Sequence, residues 1–147
     1  MRVDMEMFWR SLENMGDMET LMLATSKDDV VTARPVGALR YDNGILIRTD
    51  ADSRKAVQIA ANPNVAVCMG DYYLQGKAKV LGYCTELDDP EVQKARRAYC
   101  GRWADAFSEA DTFLSGKEVF VVITPTRLSQ WKYDGDNVEG LFHLDLA

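Results

Sequence analysis

Histidine is almost absent: the chain has one, His143, four residues from its end. Zinc chemistry and any Ser–His or Cys–His nucleophilic site would have to run through that residue, so both are disfavoured. The simpler reading of His143 is a partly exposed ring on a terminal segment. Cysteine is sparse too: Cys68, Cys84 and Cys100 are widely spaced, odd in number and form no Cys-x-x-Cys. Reduced thiols in a cytoplasmic setting are the expectation, with no metal site. No stretch approaches the ~18 consecutive apolar residues of a membrane span. Arg2, Asp4 and Glu6 follow Met1, which leaves no room for the apolar segment of a secretory signal. There is no internal repeat, low-complexity tract or Pro/Ser-rich linker.

What is there is an ordinary globular balance. The chain has 147 residues, 47% hydrophobic and 27% charged. That length predicts a single domain over residues 1–147, with room for one real core. Its net charge of −6 argues against nucleic acid or an anionic membrane as the main partner. It leaves room for a small basic pocket that holds one anion.

Along the chain, Met5, Phe8, Trp9, Leu12 and Met15 have the spacing of one helix face, with Gly16 as a stop. Residues 20–25 read as a buried strand and Lys27-Asp28-Asp29 as a turn. A long strand is predicted over 30–41, interrupted at Pro35 and Gly37; proline there marks an edge, a bulge or a place where something other than a strand is paired. Asp42-Asn43-Gly44 is a hairpin signal. In the return strand Ile45, Ile47 and Thr49 share one face, Leu46 and Arg48 the other. A helix follows over 53–61, ended by Asn62-Pro63-Asn64. Strands are predicted at 65–69 and 75–86, with Gly76 and Gly82 as bend or bulge points. Asp88 or Asp89 caps a helix opened by Pro90. Its Lys94, Arg96, Arg97 and Arg102 read as a solvated face. After a short helical patch at 106–114, "EVFVVIT" is a core strand that leads through Pro125 to Trp131. Six or seven mostly antiparallel strands with three or four helices do not alternate βαβα. A small antiparallel β-barrel with helices packed outside, mainly β in class, fits better than a doubly wound sheet.

The stretch "TDADSRKA" (Thr49 to Ala56) gathers two hydroxyls and two cations where the strand gives way to the helix. The first N–H groups of a helix lack intrahelical partners and carry the positive end of its dipole. Ser53 can cap that end, Arg54 offers a planar fork and Lys55 a mobile point charge, and Thr49 can add a hydroxyl. This composition suits a phosphate cradle. A Ser-capped helix with two solvated cations is the other reading, mildly disfavoured because cations there oppose the dipole. Asp50 and Asp52 either form the turn or neutralise the cations.

"TDADSRKAVQIAANPNVAVCM" resembles the flavin-binding signature of the pyridoxamine 5′-phosphate oxidase-like split-barrel superfamily. "ARPVG" (Ala33 to Gly37) is similar to the family's Arg-x-Val segment, and "PTRLSQW" (Pro125 to Trp131) to its Pro-to-Trp segment near the end of the barrel. The resemblance spans about Leu12 to Trp131 and is nearest the small general-stress-protein type of member. It implies a split antiparallel barrel, homodimeric, with FMN at each of two interface sites. By that analogy Arg34, Arg54 and Lys55 meet the FMN phosphate, and Thr49 and Ser53 donate hydroxyls. The backbone of Arg34, Pro35 and Val36 runs along the isoalloxazine edge. Trp131 either approaches the flavin, from the partner subunit in one arrangement, or is a plain core tryptophan. Alignment through Gly76 puts Asp71 or Tyr72 where the family has a flavin-contacting glutamine. "GLFHLDLA" keeps His143 but lacks the arginine of the family's substrate-phosphate grip, so a vitamin B6 phosphate is not the expected substrate.

The implied function is an FMN-dependent oxidoreductase with hydride transfer through flavin N5, acting on a small molecule or taking electrons from a nicotinamide donor. No general acid–base pair stands out, and the catalytic residues are unknown. The alternative is a non-catalytic protein on the same barrel that binds, stores or senses a flavin, haem or deazaflavin.

Overall fold

The computed structural model describes residues 3–15, 20–106 and 116–146. Gly16 and most of the 106–114 patch lie outside the described residues. The elements in order are α1 (Met5–Glu13), β1 (Thr20–Lys27), β2 (Val30–Gly37), β3 (Leu39–Tyr41), β4 (Gly44–Asp50) and α2 (Arg54–Ala61). They continue with β5 (Asn64–Met69), β6 (Tyr72–Tyr83), α3 (Pro90–Arg102), β7 (Glu118–Asp134) and β8 (Asn137–Asp145).

Every strand pairing is antiparallel, in the order β2-β1-β5-β6-β7-β4-β3, with β8 added to the far half of β7. The two ends of that order, β2 and β3, are consecutive in the chain and separated only by Ala38, which is fully buried. A sheet whose opposite edges are one residue apart has to curl on itself. No ladder joins β2 to β3, so the closed form is a split barrel.

Turn chemistry fixes the hairpins. Asp28 and Asp29 both take positive φ between Lys27 and Val30, the geometry that matches strand twist in a two-residue loop. Asp42 does the same before Gly44. Pro35 does not interrupt β2, contrary to the sequence reading: it stays in register opposite Met22. It is tolerated because β2 is an edge strand, where no second neighbour needs its missing N–H. The two glycines read as bulge points lie at the two register shifts of β6 with β7. At the first, Thr126 is the extra residue, and its Oγ1 donates to Gln75 O at 3.1 Å. Gly76 is required there because a Cβ would lie 2.8 Å from Thr124 O.

The apolar residues form two cores. Inside the barrel, Leu21, Leu23, Ile45, Ile47, Val67, Leu74, Val121 and Ile123 pack with Phe8, Trp9 and Leu12 of α1. Ile59 of α2 joins the same cluster. On the outer side of β4 and β7, Leu46 and Phe120 pack with Cys84 and with Val92 and Ala95 of α3. Strand β4 is therefore buried on both faces, which accounts for its run Ile45-Leu46-Ile47. Each such side chain contributes roughly 1.5–3 kcal/mol on burial. The segment 137–145, to which the sequence reading gave no element, is a full strand against β7, and β6 starts at Tyr72, earlier than expected.

Candidate functional site

Helix α2 begins where β4 ends, and its cap organises the site. Ser53 is the N-cap, its Oγ accepting from the Ala56 N–H at 3.3 Å and lying 3.0 Å from Thr49 Oγ1. Thr49 is buried, held on the inner face of β4 by the Ile45–Ile47 alternation. The Ser53 N–H donates to Asp50 O at 3.1 Å, so the backbone of Asp50 forms the turn. Arg54 is exposed and Lys55 half-buried in the first turn.

Arg34 reaches the same region from β2. It faces inward, half-buried, and its Nη1 donates to Thr25 Oγ1 at 2.8 Å and Leu23 O at 3.3 Å. Nη2 donates to Thr32 Oγ1. Both hydroxyls in turn donate to Gln58 Oε1, at 2.5 Å from Thr25 and 2.6 Å from Thr32, while Gln58 Nε2 donates to Val30 O at 3.2 Å. The guanidinium is thus anchored entirely by neutral acceptors. Burial, and then the charge of Arg54, lower its pKa. Lys55 is lowered by burial first and by Arg34 second, with Glu118 and Asp50 opposing. Arg34 thus stands among like charges, Arg54 and Lys55, and among the described residues none of the three has an ion-pair partner.

Thr25, Thr32 and Gln58 were missed in the sequence. The parity of Leu21, Leu23, Thr25 and of Thr32, Arg34, Val36 was the available signal, since it puts hydroxyls on an inward face. Gln58 sits in the buried stripe of α2, whereas the apolar Val57 beside it is exposed.

Behind the cations, Glu118 opens β7 directly opposite Asp50. Burial first, then contact with the Asp50 carboxyl, raises its pKa to about 7. On the same outer face Arg48 stacks over Tyr99 at 4.7 Å. Burial pushes the Cys84 thiol up to about 12, so it is no thiolate nucleophile near neutrality.

Two open cavities of about 540 Å³ flank β1 and β2. One runs along Lys27, Val30, Arg54 and Gln58, beside the cations. The other lies on the outward sheet face, lined by Ala24, Val31, Ala66, Gln75 and Thr126 among others. That face is apolar and open: Val31 is 68% exposed, and Met22, Ala33, Pro35 and Cys68 lie on it too. Pro35 therefore turns outward while Arg34 and Val36 turn inward. Trp131 is not brought to the cations within one chain. It stands at 41% exposure on the β7–β8 hairpin, opposite Leu141, its N–H donating to Asp71 O at 3.0 Å. It is not a core tryptophan. His143 is exposed on β8, with Nδ1 2.6 Å from Ser129 Oγ. Among the described residues no group of His, Cys, Asp and Glu is arranged to hold a metal ion.

A split antiparallel barrel with a cationic helix start between β4 and β5 defines the class of architecture. The comparisons carry this to a family. The family model described as pyridoxamine 5′-phosphate oxidase matches residues 12–132, and the chain belongs to that family. A pyridoxine/pyridoxamine 5′-phosphate oxidase of Ehrlichia chaffeensis is 31% identical over 119 residues, covering 76% of this chain. The chain spans only 58% of that relative's length. Among solved structures, an FMN-binding, pyridoxamine 5′-phosphate oxidase-related protein from Nostoc punctiforme superposes with a TM-score of 0.65 at 13% identity, covering 100% of both chains. The heme storage protein HutZ from Vibrio cholerae superposes at 0.63 and 14% identity, covering 97% of this chain and 94% of its own. General Stress Protein 26 from Bacillus anthracis does so at 0.54 and 21%, covering 82% and 91%. These structural likenesses carry the fold.

Proposed function

We propose that the protein is an FMN-binding oxidoreductase, with the flavin phosphate seated against Arg34, Arg54 and Lys55 and hydrogen-bonded by Thr49 and Ser53. The observation that carries this reading is the cation trio: its charges repel one another, and among the described residues no carboxylate forms an ion pair with any of them. A phosphate dianion at the start of α2 would relieve that repulsion and take the fork of Arg54 and the point charge of Lys55.

In this reading the chain's own residues bind and orient. Gln58, through Thr25 and Thr32, holds the Arg34 guanidinium toward the phosphate. The edge strand from Arg34 to Val36 offers backbone groups to the ring edge, which suits the lack of a second strand neighbour there. The outward apolar face around Val31, Pro35 and Met22 would be covered by a second copy of the chain. That homodimer would bring the partner's exposed hairpin tryptophan, equivalent to Trp131, toward the flavin. Held by Arg34, Arg54, Lys55, Thr49 and Ser53, FMN would supply the redox chemistry, hydride transfer through N5 with a reduced nicotinamide or a small organic donor.

The test is the molecule released when the purified protein is denatured, read by mass, together with the absorbance of the folded protein. FMN in near-stoichiometric amount, reducible in place by a nicotinamide, is the expected result. A haem, a deazaflavin, or a flavin that no nicotinamide or organic donor reduces would replace the enzyme reading with that of a carrier.

A further inference from the structure

Glu118 is the first residue of β7, paired across the ladder with Asp50, the last of β4. Its side chain is buried, with 4% of the residue exposed, and Oε2 meets no hydrogen-bond donor. A buried carboxylate oxygen without a donor is costly. The group in hydrogen-bonding contact with Glu118 is another carboxyl, that of Asp50 on the rim. Two carboxyls bond to one another only through a proton, so a proton held between them is the one donor that this neighbour can offer Glu118. Other charges face the pair from each neighbouring element. Arg48 comes from β4 and Lys55 from α2, while Tyr99 of α3 and the buried Cys84 couple to Glu118 as well. Arg96 of α3 donates to Cys84 O, and Lys117 adjoins Glu118 in the chain.

We propose that the Asp50–Glu118 pair holds one shared proton and, by keeping or losing it, sets how much positive charge Lys55 presents to a phosphate at the start of α2. The inference rests on the anion reading of that site and adds its regulation. With the proton in place the pair carries one negative charge; without it, two. The second charge appears next to Lys55, which already feels both Glu118 and Asp50. It draws the ammonium back and lowers the potential at the anion site. By linkage a bound phosphate favours keeping the proton by the same factor.

The sign follows from burial. Glu118 lies above its ordinary value, at about 7, so the folded protein keeps the proton below that pH and loses it above. The tight-binding form is therefore the low-pH form, and the window runs from about pH 6 to 8.

The experiment compares FMN dissociation constants at pH 6, 7 and 8 for the wild type and Glu118→Gln, which fills the same space and donates permanently to Asp50. Taking the ratio of the two proteins at each pH cancels the ionisation of the phosphate itself. The wild-type constant should rise relative to the variant by about fivefold or more from pH 6 to 8, the low end of ordinary site–site coupling. A constant ratio overturns the proposal while leaving FMN binding intact. Should FMN bind neither protein at any pH, the anion reading fails, and with it the coupling to Lys55. Urea midpoints without ligand then judge the shared proton alone. The wild type should lose stability relative to Glu118→Gln as pH rises from about 4.5 to about 7 and hold level above that, and parallel curves overturn it. If Glu118→Gln folds poorly, Asp50→Asn, which removes the neighbouring carboxylate and offers an amide N–H to Glu118, should move both profiles to lower pH, and unmoved profiles overturn the shared proton.

Discussion

The Arg34 guanidinium donates to Thr25 Oγ1 at 2.8 Å, and that hydroxyl in turn donates to Gln58 Oε1 at 2.5 Å. A cation on an edge strand is thereby tied to the second turn of α2 without meeting any carboxylate. Neutral acceptors fix the direction of a guanidinium but do not cancel its charge, so the residue stays available to an external anion.

Replacing Gln58 by Leu should separate orientation from charge. The substitution leaves both hydroxyls without their common acceptor, and the Val30 carbonyl without its donor. A loss of stability of about 1–3 kcal/mol is expected. FMN affinity should fall while the positive charge is unchanged, read by flavin fluorescence against a urea curve. Unaltered affinity would show that Arg34 needs no such support.

The double change Arg54→Ala and Lys55→Ala should act the opposite way. Arg54 is exposed, and among the described residues neither cation has an ion-pair partner to lose. Removing repulsion between like charges leaves the fold intact or slightly stabilised. Retention of FMN should be abolished. A double variant that keeps cofactor at wild-type affinity would displace the phosphate from this corner.

Much of this architecture was legible because its signals are local. Asp42 before Asn43-Gly44, Ser53 before Arg54, and Asp89 before Pro90 each act over two to four residues, and each stands where the spacing put it. The cation cluster was legible for the same reason, since Arg54 and Lys55 are neighbours in the chain. What was not legible depends on contacts across the barrel. Thr25, Thr32 and Gln58 look like ordinary strand and helix residues until β1, β2 and α2 are packed together. Pro35 could be read as an edge, a bulge or a break, and only the strand order decides for the edge. The carboxyl pair was half visible: Asp50 lay in the motif, but Glu118 is 68 positions later and meets it only through the β4–β7 ladder.

Helix α1 should matter to the barrel beyond its length. Phe8 is fully buried and stacks edge-on to Trp9 and Tyr72, with ring centroids 5.2 and 5.7 Å apart. Phe8→Ala leaves a void between α1 and β6 and should cost about 3–5 kcal/mol in a chemical-denaturation curve. A cost below about 1 kcal/mol would mean that α1 is only loosely seated on the core.

The thiols give an independent check on which sheet face is covered. Cys84 is buried with its pKa at about 12, Cys100 is half-buried, and Cys68 is exposed on the outward face beside Met22. In the folded protein at pH 8, a maleimide should leave Cys84 unmodified. Cys68 should react readily in the dilute chain and slowly at concentrations where a dimer forms, if a second copy covers that face. Flavin release on dilution should follow the same concentration dependence if, as in the proposed dimer, Trp131 reaches the site from the partner subunit. Cys68 labelling that is equally fast at every concentration, in a protein that holds its full complement of flavin, would put the dimer contact on another surface and leave Trp131 without a role at the cofactor.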